Sequence, residues 1–257
     1  MISKKDISMK SNLITSEIAE IAGIHAGDGY LRYGRKNEWD VSGSYEEKEY
    51  YDGYVIPLIN KFFQTEIKGR YFYSRKTYGF CTGNKKIIQT LVDLGFPSGN
   101  KSTIVEIPKQ VLNSHNKNNF AAFLRGYFDT DGSLNFRNKV NNSDGFKKKY
   151  HFYPRLAFAS CSKKLICQVG KLLEKFDLSY NIYEYNSKVE NENVRYNLES
   201  LGIKNLNSFM EHIDSKNSSK ISRYLIWEKF GFCPPKTKYK QRKQILSRKI
   251  DIHNFYD

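Results

Sequence analysis

The residues best able to do chemistry in this sequence are two aspartates written in near-identical surroundings. Asp28 closes the stretch IAGIHAGDG (21–29) and Asp131 closes LRGYFDTDG (124–132), each followed at once by glycine, 103 residues apart. A carboxylate is a hard oxygen donor suited to Mg²⁺ or a similar cation. At the end of a helix it faces the negative pole of the helix dipole, an unfavourable place that a bound cation would explain. Either Asp-Gly alone reads as a helix end with a turn. Two copies at this spacing read as a duplicated folding unit.

The elements that must carry these aspartates are legible on either side of them. SEIAEIAGIHAGDG predicts a helix with Ser16 as N-cap, Glu17 and Glu20 in its first turn and Gly29 at its end. Ala19, Gly23 and Gly27 recur at i, i+4, i+8, so one face has almost no side-chain bulk. Ala122, Gly126 and Thr130 give the second copy a matching face, and the two are expected to nest as a tight pair with both Asp-Gly ends together. Alternating aromatic and β-branched stretches follow each helix: YLRYGRKNEWDVSGS in one copy, SLNFRNKV and YHFYPRLAFAS around a polar loop at NNSDGFKKK in the other. EEKEYYDGYVIPLINKFF and SKKLICQVGKLLEKF predict the next helices. Hairpin stretches and closing helices (KKIIQTLVDLG, KNLNSFMEHI) complete an αββαββα order written twice. The expected organisation is an N-terminal extension (1–15), a first repeat (16–115), a second repeat (116–218) and a basic C-terminal extension (219–257).

Length and composition agree with this. A chain of 257 residues suits one or two folding units at roughly 150 residues each. No run approaches the ~20 apolar residues of a membrane helix and the first residues lack an apolar signal core, so the chain is expected to be intracellular, not secreted, with no membrane partner. The four cysteines show no CxxC spacing, which argues against a zinc ribbon or a disulfide framework. A formal charge of +15 points to a polyanionic partner, and its basic residues mix with Tyr and Phe in the strand-like stretches.

These residues resemble the LAGLIDADG homing endonucleases, in the single-chain form with two motif copies. The first copy runs Ile21-Ala22-Gly23-Ile24-His25-Ala26-Gly27-Asp28-Gly29 and the second Leu124-Arg125-Gly126-Tyr127-Phe128-Asp129-Thr130-Asp131-Gly132. His25 and Ala26 replace an apolar residue and the motif's first aspartate, and Arg125 and Tyr127 enlarge positions usually small or aliphatic. The resemblance covers about residues 16 to 218. It implies an α+β fold of two pseudo-symmetric αββαββα halves, with antiparallel sheets forming a DNA-binding saddle and the motif helices at the interface. It also implies a monomer that binds double-stranded DNA and makes a metal-dependent double-strand break at a long, asymmetric site.

By the same resemblance Asp28 and Asp131 are metal ligands and catalytic residues, and the Gly27 and Thr130 carbonyls join them around Mg²⁺, with Mn²⁺ or Ca²⁺ able to occupy the same sites. Such ions can clamp the attacking and leaving oxygens of a phosphodiester. The family often adds a basic residue after the last helix of each half. Lys101 and Lys216 hold comparable places, with Lys220 competing for the second. The strands carry Arg32, Arg35, Arg70, Arg75, Asn135, Arg137, Arg195 and Asn197 as candidate DNA contacts, Arg suiting guanine and Asn adenine in the major groove. The tail KTKYKQRKQILSRK, with seven bases and no acid, suits backbone clamping.

Two other functions stay open on the same scaffold: a maturase that binds intron RNA, and a DNA-binding regulator whose nuclease is lost. Keeping both aspartates speaks against the second. His253-Asn254 resembles the pair that ends an intein, but Phe255 follows where Cys, Ser or Thr is expected, so the pair is read as coincidence.

Overall fold

The computed structural model describes residues 14–139, 148–186 and 192–256. Most of the expected N-terminal extension and of the polar loop at 141–149 lies outside these residues. The first half runs α1 (Ser16–Asp28), β1 (Gly29–Arg32), β2 (Glu38–Ser44), a helical run α2 (45–63), β3 (Arg70–Phe72), β4 (Thr77–Thr82) and α3 (Lys85–Asp93). After a short helix α4 (Lys109–Leu112), the second half repeats the order: α5 (Lys117–Asp131), β5 (Ser133–Arg137), β6 (Tyr153–Ser160), α6 (Lys163–Glu174), β7 (Asn181–Tyr185), β8 (Arg195–Leu201) and α7 (Ile203–His212). Helices α8 (Ser218–Phe230) and α9 (Tyr239–Leu246) and a final helical turn (Ile252–Phe255) follow.

Each half forms one four-stranded antiparallel sheet, in the orders β1-β2-β4-β3 and β5-β6-β8-β7. Alternate residues such as Leu31, Trp39, Val41 and Phe80, or Leu134, Phe136, Leu156 and Leu198, turn into the core. Their strand neighbours form the opposite, open face. No helix among the described residues is long and apolar enough to cross a membrane.

The small faces of α1 and α5 do nest. A methyl group at Gly23 would fall on the Phe123 carbonyl oxygen, and one at Gly126 on the Glu20 carbonyl oxygen. Glycine is therefore needed at both positions, for a mutual backbone approach that any side chain would wedge apart. The residues that blur the motif each have a partner. His25 Nδ1 accepts the Trp39 Nε1–H at 3.0 Å, and burial holds its imidazole well below the usual range, hence neutral. Tyr127 donates to the Ala159 carbonyl at 2.9 Å. Arg125 Nε lies 2.9 Å from Glu20 Oε1 on the other motif helix, and its Nη1 reaches the Ile213 carbonyl at 3.0 Å.

One local expectation is corrected. The N-cap of α1 is Thr15, whose side chain accepts from Ile18 N; Ser16 lies one residue inside and donates to Asn119 Oδ1 across the helix pair. The basic tail, expected to suit DNA backbone clamping, carries α9 and packs on its own chain, with Lys236, Lys238, Lys240, Arg248 and Lys249 left exposed. Arg242 is buried and bonds Ser222 Oγ at 2.8 Å, while Tyr239 and Lys243 both reach Glu49 at 2.6 Å.

Candidate active site

Both motif helices end at the same place. Gly29 and Gly132 leave the helices in extended conformation, so Asp28 and Asp131 are the last helical residues of α1 and α5. A side chain at Gly27 would collide with Thr130 and come within 3.4 Å of the Asp131 carboxyl carbon. Two carboxylates forced together in this way, with protein around them, hold protons more tightly. Burial first, then Asp131 and Glu47, pushes the Asp28 carboxyl up to about 7. Asp131 is also raised by burial, against the pull of Lys101, Lys220 and Arg195.

The carbonyls preceding the aspartates have cationic partners. Lys101 Nζ donates to the Ala26 and Gly27 carbonyls, both at 2.9 Å. In the other half the ammonium comes from Lys220, not Lys216: Lys220 Nζ donates to Phe128 O at 2.6 Å and Thr130 O at 2.9 Å. Of the two lysines expected to compete for this place, Lys216 does not reach these carbonyls. Its Nζ pairs with Asp214 and its side chain is exposed, because it precedes the Asn217 cap of α8 while Lys220 sits in that helix's first turn. Desolvation lowers the ammonium pKa of Lys101 and of Lys220, against the nearby carboxylates that raise it.

Three functional candidates were missed in the sequence. Tyr51 donates its hydroxyl to Asp28 Oδ2 at 2.7 Å. It is aimed there by a π-turn at Tyr51–Val55, where Ile56 N bonds Tyr51 O five residues back, just ahead of Pro57, which has no N–H to give. Glu47 is a third carboxylate: a side chain on Gly43 would meet both Glu47 Oε2 and Asp28 Oδ2. It is fixed by Ser44 N at 3.0 Å and Asn217 Nδ2 at 2.7 Å. Ser44-x-x-Glu47 is a capping box, a signal that could have found the residue although not its role. Asp129 is buried and accepts from Ser215 Oγ at 2.5 Å and Lys216 N at 2.7 Å, tying the segment before α8 to the end of α5. Burial pushes its carboxyl to about 7.

The donor set, the Asp28 and Asp131 carboxylates beside the Gly27 and Thr130 carbonyls that now accept from lysine, is all oxygen and so fits a hard divalent cation. On the Asp131 side a cavity of about 510 Å³ is lined by Lys101, Cys161, Tyr185 and Arg195 among others. Arg195 thus lines the same cavity as Asp131, at the start of β8. The remaining candidate contacts occupy the open faces: Arg32 and Arg70 on the first sheet, Asn135, Arg137 and Asn197 on the second, with Arg35 and Arg75 in loops beside the first.

Comparison with known proteins bears out the resemblance. A family model described as LAGLIDADG-like domain matches residues 119–214. A variant of the homing endonuclease I-DmoI superposes with a TM-score of 0.52 at 16% identity, covering 77% of this chain and 95% of that one. I-DmoI in complex with DNA and Mn gives 0.51 at 16% identity, covering 77% and 96%. In sequence the chain is 33% identical over 132 residues, 51% of its length, to a probable translation initiation factor IF-2 of Methanocaldococcus jannaschii. It is 24% identical over 210 residues, 81% of its length, to a replication factor C small subunit of the same organism. In each case it spans only 10% of the relative. Residues 119–214 thus match a LAGLIDADG-like domain, and the chain as a whole has the fold of the LAGLIDADG homing endonucleases.

Proposed function

We propose that this protein is a site-specific endonuclease that cuts both strands of a DNA duplex with the help of divalent metal ions. The observation that carries this reading is the meeting of Asp28 and Asp131 at the ends of two interlocked helices, each helix end capped by a lysine ammonium. Asp28, Asp131 and the carbonyls of Gly27 and Thr130 would hold the ions, Mg²⁺ by preference. Bound there, such an ion activates water and neutralises charge building on a phosphate. Lys101, Lys220 and Arg195 would face the scissile phosphates, while Tyr51 and Glu47 orient the Asp28 carboxylate. The open sheet faces, with a total charge of +15 behind them, would hold the duplex. I-DmoI, which shares the fold, is known in complex with DNA and Mn, and that supports the reading.

The matches to an initiation factor and a replication subunit cover a tenth of each, so neither translation nor replication is proposed for this chain. One segment shared by two proteins of unrelated duty supports a module that moves between genes. The test is to incubate the protein with a randomised duplex library, with and without Mg²⁺, and sequence the ends. Metal-dependent breaks at one sequence are expected; breaks at no preferred sequence, or none at all, would overturn the proposal.

A further inference from the structure

Strand register makes the two open faces comparable residue by residue. In the first sheet Tyr30 pairs with Asp40 and Asp40 with Cys81; in the second Ser133 pairs with Ala157 and Ala157 with Glu199. Tyr30 and Ser133 both stand two residues past a catalytic aspartate, so these rows are equivalent. One row farther out, Arg32 and Glu38 correspond to Asn135 and Arg155. Glu199 thus stands where the first sheet has Cys81, and Arg155 where it has Glu38.

Around Glu199 the second sheet builds something the first does not. Arg137 Nη2 reaches Glu199 Oε2 at 2.7 Å, and Arg155 Nη2 pairs with Oε1 of the same carboxylate. The Glu199 side chain is 12% exposed, whereas those of Arg137 and Arg155 keep 32% and 27%, so the carboxylate lies beneath two guanidinium groups on the open face. A fork held by a carboxylate loses little freedom on binding, and Arg matches the O6 and N7 acceptors of guanine. The two forks share one carboxylate, which places them within a step or two of the 3.4 Å base-pair rise. In the first half Arg75 comes from the hairpin turn, bonds Asp40 at 2.8 Å and stacks on Phe72, while Arg32 pairs with Glu38 at 3.5 Å, so each of these arginines has its own carboxylate.

We propose that Glu199 is a positioning residue that sets Arg137 and Arg155 as a pair reading two neighbouring G·C pairs, close to the cleavage centre, in the half-site bound by the second sheet alone. The inference rests on the endonuclease reading above and names part of its target. Arg155 is a reader in its own right. Glu199 acts through the arginines: it holds their direction and shields the groove from two loose cations that would otherwise bind any phosphate.

The experiment is binding selection from a randomised duplex library in EDTA, sequencing the retained duplexes for the full-length wild type and for Glu199→Gln, Arg155→Ala and Arg137→Ala. The wild-type consensus should contain two neighbouring G·C columns. Glu199→Gln should lower discrimination about tenfold in both columns and leave the others intact, while affinity for random duplex rises because a negative charge is gone. Each arginine variant should relax one column. A destabilised fold would lower specific and random binding together, which separates a structural role from the proposed one. If Glu199→Gln does not fold, Arg155→Lys keeps the charge, loses the fork and should still relax its column. Columns untouched by these variants, or altered columns that are not G·C, would overturn this inference and leave the endonuclease reading standing. No consensus at all overturns both.

Discussion

Around Asp28 the chain supplies a phenol and a second carboxylate; around Asp131 it supplies an arginine and an open cavity. Tyr51 and Glu47 come from α2, whose π-turn has no counterpart in α6 of the second half. Arg195 comes from β8, where the register-equivalent residue of the first half is Thr77. The duplication thus kept what the backbone demands, the glycine contacts and the terminal aspartates, and released the rest. Under the proposed endonuclease reading, the two strands of one duplex would be cut by chemically different halves.

Removing either aspartate asks whether the halves work singly. Asp28→Asn and Asp131→Asn should each abolish double-strand cleavage while leaving binding nearly intact, since affinity comes mainly from phosphate and groove contacts. Nicking and gel-shift assays check this, and a wild-type rate of double-strand breaks from either variant breaks the assignment. Next in size, Lys101→Met and Lys220→Met should each cost about 10²-fold in cleavage, the scale for losing one charge-stabilising donor. Unequal losses would show that the matched ammonium positions do unequal work. Tyr51→Phe should slow one strand alone by roughly tenfold, as for other residues that orient a ligand. Equal slowing of both strands, measured on end-labelled duplex, would erase the contrast between the halves.

A smaller effect concerns pH in metal-free protein. The Asp28 carboxyl is raised from 3.8 to about 7, so the folded state binds its proton more tightly than the unfolded state does. The Asp28 contribution to stability should therefore be fully present below about pH 4 and be lost as pH rises through about 7. Asp28→Asn should flatten that decline, raising the neutral-pH melting temperature by about 2–4 °C for each kcal/mol recovered. Calorimetry in EDTA at several pH values reads this directly. Smallest of all, Lys216→Ala should change cleavage less than about twofold, as expected for an exposed pair.

What could be read in the sequence was what repeats locally. Ala19, Gly23 and Gly27 against Ala122, Gly126 and Thr130 announce the helix pair, because a stripe of small residues has one common use. The strand alternation announces both sheets. The partners of His25, Arg125 and Tyr127 were not legible, since Trp39, Glu20 and Ala159 lie 14, 105 and 32 residues away in sequence. Lys216 and Lys220 differ by one helical turn, and only the cap at Asn217 decides which one points back to α5. The tail was legible only in its charge: its contacts to Glu46, Glu49 and Ser222 inside the same chain left no local sign.

The Glu20–Arg125 pair has a consequence for assembly. Glu20 belongs to α1 and Arg125 to α5, and the glycine faces that bring these helices together are nearly alike. Were the two halves made as separate chains, shape alone would let each half pair with itself. Charge forbids it: two first halves would bury two glutamates with no arginine, and two second halves two arginines with no glutamate. An unpaired buried charge of this kind costs on the order of 3–5 kcal/mol. The separated halves should therefore meet only as unlike partners, so the buried pair acts as a lock and key for reassembly as well as a bond within the fold.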